Sequence, residues 1–167
     1  AVADKVVLDL RYDARDIAAG CLTPLKNAVL AAAPIQSLAQ QATATASVSP
    51  NAERYPAQAA NDGVLSTLYW PGALVEDNTQ WLQLAWETPQ TFQTVVVRFL
   101  QHPSMHGRTI QLQRETAAGT WEGFATTVIP ADATTAHSVA TFDLPSPVTL
   151  AKLRIVNLLD LFEIEIR

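Results

Sequence analysis

The chain has 167 residues, of which 49% are apolar and 16% are charged, and its formal net charge is −5. This length is typical of one soluble domain, and so low a charged fraction excludes a disordered polyelectrolyte and a coiled coil. The 11 basic residues are scattered, which argues against a nucleic-acid partner. No apolar run approaches the ~18 residues of a membrane span, and the single cysteine, Cys21, excludes an intrachain disulfide.

Residues 1–37 form the first predicted segment, which reads as helical or mixed. Thr23 followed by Pro24 is a typical helix start, and Pro34 ends this predicted helix. Four apolar residues between positions 25 and 32 share one helical face. Because a helix of about ten residues is marginal alone, we expect this segment to be a linker or docking piece of a larger parent protein.

From residue 38 the hydrophobic period changes from helical to alternating. Eight short segments have strand character and are separated by Pro, Gly and Asn turns: 43–48, 81–86, 94–100, 109–114, 121–129, 138–144, 152–156 and 162–166. Many short strands at this spacing are typical of a β-sandwich or jelly roll rather than a parallel α/β sheet. We therefore predict an all-β fold over 38–167, with a short helical N-terminal extension.

Two tryptophans mark the strand at 81–86. Trp81 and Trp86 are five residues apart and must face opposite sides of a strand. We expect Trp81 to lie in the core and Trp86 to be at least partly exposed. Trp121, which follows the turn at Gly119, is expected to pack at the sandwich edge.

Five stretches follow one another in an order typical of a known family. They read SLAQQATATASVSP, YPAQAANDGVLSTLYW, TQWLQLAWETPQTFQTVVVRF, GRTIQLQRETAAGTWEGFA and AKLRIVNLLDLFEIEIR. In this order they resemble the discoidin family, also called coagulation factor five/eight type C. The resemblance covers residues 38–167 and implies a galactose-binding-like jelly-roll β-sandwich, many bacterial members of which are carbohydrate-binding modules.

A turn at 61–63 and the last strand supply candidate calcium ligands. Asp62 and the hydroxyl of Thr67 (or of Ser66) lie close in sequence, and Glu163 alternates with apolar residues in the last strand. Calcium prefers oxygen ligands of these kinds, although the residues alone favour the alternative, a capped turn with two solvated glutamates. The resemblance implies a structural calcium and the ligand set Asn61, Asp62, Leu65, Thr67 and Glu163, with Asn61 and Leu65 acting through backbone oxygens.

Two loops contain candidate ligand-binding residues. Tyr69 and Trp70 precede Pro71-Gly72, and a sugar stacks its apolar face on an exposed aromatic ring. The alternative is that one of the two rings plugs the end of the barrel. The second loop contributes Gln101, His102, His106 and Arg108. Galactose-binding relatives tend to have an Arg and an Asn there, a pair that this loop lacks.

No catalytic residue is predicted, because the chain has neither a Gly-x-Ser-x-Gly elbow nor a Gly-rich phosphate loop. The resemblance implies a non-catalytic module of a larger secreted or surface bacterial glycoside hydrolase, with a glycan ligand and the parent's catalytic domain as partners. The alternative is a structural module that binds no sugar and braces a neighbouring catalytic domain. A lipid-binding module is disfavoured by the net charge and scattered arginines.

Overall fold

In a computed structural model, the chain divides into two units, Ala1–Pro34 and Ile35–Arg167. The structure describes residues 37–72, 79–100, 107–117, 119–129, 137–158 and 160–167. The predicted linker or docking segment at 1–37 lies outside these residues except for Ser37, so its assignment stays a prediction. No helix in the described ranges is long and apolar enough to cross a membrane.

The described part contains six β-strands and two 3-10 helices, which confirms the predicted all-β class. The elements are the 3-10 helix Leu38–Gln41, β1 Thr43–Ala46, the 3-10 helix Ala57–Ala60, β2 Trp81–Leu100, β3 Thr109–Ala117, β4 Thr120–Val128, β5 His137–Val156 and β6 Leu161–Ile166. All strand pairs are antiparallel. The prediction of eight short strands is wrong in one respect, because two pairs of predicted strands are joined into the long strands β2 and β5.

The two long strands bend where their pairing shifts register. One shift lies between Ala85 and Gln90, a stretch that contains Pro89, which cannot donate to the ladder. A bulge bends and twists a strand, so each half of β2 has different neighbours. Residues 81–85 pair with β1 and the end of β5, whereas residues 95–99 pair with β6 and the start of β5. The halves thereby form the two layers of a sandwich.

One hydrophobic core lies between the layers. Its buried residues come from β2, β3, β5 and β6 and from the adjoining turns, while β1 and β4 supply partly buried side chains that pack against it. Its largest fully buried side chains are Tyr69, Leu82, Leu84, Phe99, Ile110, Leu112, Ile129, Leu153, Ile155, Leu158 and Leu161. The strand order is β1-β2-β5-β3-β4, and β6 pairs with β2 off this path. Side chains of β2 that alternate with the core residues, such as Trp81 and Gln83, are partly exposed.

The structure reverses the predicted roles of the two tryptophans in β2. They face opposite sides as expected, but Trp86 is the buried one, and its Nε1 donates to the Leu38 carbonyl at 2.8 Å. Trp81 is half-exposed. The physical reason is the strand period of two: Trp86 is in phase with Leu82 and Leu84, which are fully buried.

Candidate functional site

The turn that begins at Asn61 is tied to the start of the domain by a buried amide. Asn61 is fully buried, and its Nδ2 donates to the carbonyls of Ala39 and Ala42 at 2.6 and 3.0 Å. Its Oδ1 is buried without a hydrogen-bond partner in the described part of the chain. The next residues reverse the chain at Gly63, where φ is +79°, a conformation that glycine adopts without strain.

Several oxygens meet around the hydroxyl of Thr67. Thr67 Oγ1 lies 2.8 Å from Asp62 Oδ2, 2.7 Å from the Val64 carbonyl oxygen and 3.4 Å from the Ala59 carbonyl oxygen. A hydroxyl donates only one hydrogen, so it cannot satisfy all of these acceptors. An oxygen-rich group that has few donors is the environment preferred by a hard cation such as calcium.

Glu163 from β6 reaches the same turn. Its Oε2 accepts a hydrogen bond from the Gly63 amide at 2.9 Å, and Oε1 is buried with no partner among the described residues. Burial raises the pKa of Glu163 to about 8; the Gly63 hydrogen bond opposes this shift, and the charge of Asp62 adds to it. Glu163 is therefore a buried carboxyl that lies near a second carboxyl, that of Asp62.

The neighbouring glutamate of β6 is neutralised in a different way. Glu165 is buried, and its carboxylate pairs with Arg98 at 2.6 Å and also with Arg167. Because Glu163 and Glu165 are 0% and 1% exposed, the alternative of two solvated glutamates is wrong. Only one of the two buried carboxyls, Glu163, is left short of partners.

The structure thus brings together three of the five predicted metal ligands, namely Asp62, Thr67 and Glu163. No hydrogen bond in the described ranges links Leu65 to them, and the Asn61 side chain bonds to Ala39 and Ala42 instead. The backbone roles of Asn61 and Leu65 therefore stay predictions. The carbonyls of Ala59 and Val64 were missed, since nothing in a sequence marks which carbonyl a turn directs inward. Among the residues that the structure describes, no group of three His, Cys, Asp or Glu side chains occurs.

Tyr69 and Trp70 lie on opposite sides of one short backbone pairing. Tyr69 exchanges two backbone hydrogen bonds with Leu161, at 2.9 and 3.0 Å. Its ring is 1% exposed and its hydroxyl donates to the Val48 carbonyl at 2.6 Å; burial raises the pKa of Tyr69 to about 12. The predicted ligand-binding role of Tyr69 is therefore corrected, because a ring in the core cannot stack on a sugar.

Trp70 is half-exposed and lines a groove at one end of the sandwich. The groove has a volume of about 250 Å³ and is lined by Tyr55, Leu68, Trp70 and Asp160. The Tyr55 and Trp70 rings meet edge to face, with centroids 5.8 Å apart, and the Arg54 guanidinium lies 5.2 Å from the Tyr55 centroid. A shallow depression of about 610 Å³ continues from Tyr55 and Leu68 to Asp62 and Thr67. The groove and the oxygen-rich turn are thus parts of one surface.

The link between β5 and β6 places a second polar group at this end. Asn157 accepts a hydrogen bond from the Arg108 guanidinium through Oδ1, and its Nδ2 donates to the Thr109 carbonyl at 2.5 Å. Burial lowers the pKa of Arg108, which remains a cation. Asn157 has φ +67°, the one positive value among the described non-glycine residues. No Asn partner was predicted for Arg108, because Asn157 is distant from it in the chain.

Leu100 and Arg108, which lie on either side of the predicted histidine loop in the sequence, both contact this link. Leu100 at the end of β2 donates its amide to the Asp160 carbonyl at 2.9 Å, and Arg108 follows the loop. Gln101, His102 and His106 themselves lie outside the described residues, so their ligand-binding roles stay predictions. The link 157–160 and the aromatic pair Tyr55–Trp70 are the parts of this surface that sequence reasoning missed.

Comparisons with known proteins agree with the fold. The model of the F5/8 type C domain matches residues 41–160. A galactose-bound family 32 carbohydrate-binding module from C. perfringens NanJ is 14% identical and has a TM-score of 0.62, with 78% of this chain and 96% of that one covered. Chitosan-binding module 1 of a Paenibacillus sp. IK-5 chitosanase/glucanase is 22% identical, with a TM-score of 0.57 and coverages of 79% and 98%.

A third solved structure, SpGH29, is 16% identical with a TM-score of 0.56; 78% of this chain is covered, but the chain spans only 27% of that protein. No curated protein sequence matches this chain. At these identities the structural similarities establish the fold alone. The family model covers well over half of the chain and agrees with the resemblance found in the sequence, so the chain belongs to the F5/8 type C domain family.

Proposed function

We propose that residues 38–167 are a non-catalytic carbohydrate-binding module of a larger secreted or surface bacterial glycoside hydrolase. The module binds galactose-type or other glycans at the end of the sandwich where Trp70 lies. The observation that carries this proposal is the half-exposed Trp70 ring in a groove with Asp160. The names of the similar structures, which include galactose-bound and chitosan-binding modules, support it.

The groove provides the two kinds of contact that a sugar needs. The indole of Trp70 offers an apolar face for the C–H groups of a pyranose ring, and its orientation is fixed by the edge-to-face contact with Tyr55. Asp160 lines the same groove and offers polar atoms to hydroxyl groups. A single shallow groove of this kind is expected to bind weakly, with dissociation constants of roughly millimolar to micromolar.

We also propose a structural calcium ion at the turn that follows Asn61. Asp62, Thr67 and Glu163 would hold it, together with the carbonyls of Ala59 and Val64, and the residues present fit such an ion. The unpartnered Glu163 Oε1 and the crowded oxygens around Thr67 support it. When bound, the ion supplies positive charge that neutralises two neighbouring carboxylates and fixes the turn beside the groove; it takes no part in a reaction.

The first experiment is a glycan array on the calcium-loaded protein, with the Trp70→Ala variant alongside. We expect hits that Trp70→Ala abolishes and that the matched control Val128→Ala, an exposed side chain that does not line the groove, retains. Loss of hits with a chelator shows only that calcium maintains the turn.

A folded, calcium-loaded sample that gives no hit would overturn the glycan-binding proposal. The alternative function, a module that braces a neighbouring catalytic domain without binding sugar, would then be tested by measuring association with that domain. Hits that survive Trp70→Ala would place the glycan somewhere other than this groove.

A further inference from the structure

The outer face of the sheet formed by β2, β3, β4 and β5 holds an arginine between two tryptophans. The Arg154 Cζ atom lies 4.0 Å from the ring centroid of Trp81 and 3.8 Å from that of Trp121. Both indoles are half-exposed. A guanidinium stacked between aromatic faces is held in one orientation by cation–π attraction, while the N–H groups at its edge stay available.

The strands beside Arg154 supply neutral amides. The register places Gln83 of β2 and Gln113 of β3 directly opposite Arg154. The Nε atom of Arg154 donates to Gln83 Oε1 at 3.1 Å, and no other acceptor for Arg154 occurs among the described residues. Because a guanidinium has five N–H donors, most of its edge is free to bind a ligand. We call Trp81, Gln83, Gln113, Trp121 and Arg154 the tryptophan–arginine face.

The acidic side chains near this face are already engaged. Glu115 accepts from Lys152 at 2.8 Å and from the Gly119 amide at 3.0 Å, and Glu122 pairs with Arg114 at 3.2 Å. Glu115 influences Arg154 only through its more distant charge, and partial burial between the rings lowers the pKa of Arg154. Arg154 therefore remains a desolvated cation with no carboxylate bound to it in the described structure.

We propose that the tryptophan–arginine face is a second ligand site, and that it binds the carboxylate of an acidic sugar residue. The proposal rests on the proposed glycan-binding function and adds a site for a charged class of glycan. A carboxylate accepts two parallel N–H bonds from one edge of a guanidinium. The rims of the indoles and the amide of Gln113 then contact the sugar ring. This site lies on a sheet face, whereas the groove at Trp70 is built from loops.

The test compares trigalacturonic acid with its fully methyl-esterified form, by titration calorimetry on the whole chain. The ester keeps the sugar rings but removes the charge, so we expect its affinity to be lower by a factor of at least about ten. Raising the salt concentration is expected to weaken binding of the acid alone.

Two variants separate binding from folding. Gln83→Glu places a carboxylate against Arg154 Nε, so it should keep the stack and the melting temperature while weakening binding of the acid about tenfold. Arg114→Gln is the matched control, since it removes a cation of the same sheet that lies outside the tryptophan–arginine face, and it should leave binding unchanged.

Equal binding of the acid and the ester, no binding of either, or no effect of Gln83→Glu would each overturn the proposal and leave the stack with a purely structural role. The proposed function is judged separately, because it fails when a folded, calcium-loaded sample gives no hit with any glycan on the array. Binding of trigalacturonic acid that survives Trp70→Ala but not Gln83→Glu would establish this face as a distinct site.

Discussion

Tyr69, which forms a β-bridge with Leu161, and its neighbour Trp70 have different roles, and their variants should separate stability from binding. Tyr69→Ala removes a ring that is 1% exposed, so we expect a loss of about 3–5 kcal/mol in the free energy of unfolding. Tyr69→Phe loses only the bond to Val48 and should cost about 1 kcal/mol. Trp70→Ala should cost well under the Tyr69→Ala value, because its ring is half-exposed. Urea denaturation measures all three, and equal losses at both positions would mean that Trp70 is a core residue.

Asn157 combines a left-handed backbone with two side-chain hydrogen bonds, and two substitutions distinguish these contributions. Asn157→Gly removes the bonds to Arg108 and Thr109 but accepts φ +67° freely. Asn157→Ala removes the same bonds and adds backbone strain of about 1–2 kcal/mol. Denaturation curves should therefore rank the wild type above Gly and Gly above Ala. An Ala variant as stable as the Gly variant would contradict this account.

At the scale of the elements, a small 3-10 helix is joined to the last strand through one serine. The Ser37 hydroxyl oxygen accepts from the Ala39 amide at 3.1 Å and from the Ile166 amide at 2.7 Å. Ser37→Ala leaves both buried donors unpaired, so we expect a loss of about 1–2 kcal/mol. Ser146→Ala, at an exposed position of β5, is the control and should change stability little. A neutral Ser37→Ala variant would show that water replaces the hydroxyl.

The turn at 61–67 and β6 should respond together to pH and calcium. Without calcium, burial raises the pKa of Glu163 from 4.5 to about 8, so the folded domain retains a proton that the unfolded chain releases. The contribution of Glu163 to the free energy of unfolding is then fully present below pH 4.5 and is lost as the pH rises through about 8. The facing charges are Asp62, Glu165 and Arg98, of which Asp62 and Glu165 reinforce the shift and Arg98 opposes it.

We expect the melting temperature measured with a chelator to fall between about pH 5 and 8, and excess calcium to abolish this fall because it binds the ionised carboxylate. Glu163→Gln should remove both the pH dependence and the calcium response, while Glu122→Gln, an exposed acid, should keep both. A chelated protein whose melting temperature is constant over this range, or rises, would contradict the assignment of Glu163.

The strands could be predicted from the sequence where a local alternating pattern determines them. Their full length could not be predicted, because it depends on pairing with strands that are distant in the chain. Alternation alone identified the strands, but the prolines at 89 and 145 read as breaks, whereas the strands continue through bulges. The same alternation places Trp86 in phase with Leu82 and Leu84, which are buried, so following the local period would have assigned Trp86 rather than Trp81 to the core. Conformations such as the positive φ of Asn157 leave no mark in a single sequence.

At the scale of the whole molecule, the candidate groove is assembled from segments that are far apart in the chain. Tyr55, Trp70 and Asp160 come from three separate loops, and their proximity depends on the pairing of Tyr69 with Leu161. Sequence reasoning found Trp70 because a loop aromatic beside Pro-Gly is conspicuous. It missed Tyr55 and Asp160, because only the closed sandwich brings these loops together.

The core of the domain begins after residue 35, and a shortened chain should therefore fold. Residues 35–167 form one compact unit, whose core within the described residues runs from Ala39 to Ile166. Ser37 supplies a hydrogen bond to the last strand. We expect a fragment of residues 35–167 to unfold in one cooperative step, with a melting temperature within a few degrees of the full chain.

The fragment should also bind any glycan that the full chain binds, because the groove at Trp70 is complete within it. A fragment that is unfolded, or that is folded but has lost the glycan, would mean that residues 1–34 contribute to the domain. The same fragment separates the two proposed functions, since a bracing module that docks through residues 1–37 would lose its association with a catalytic domain while keeping its fold.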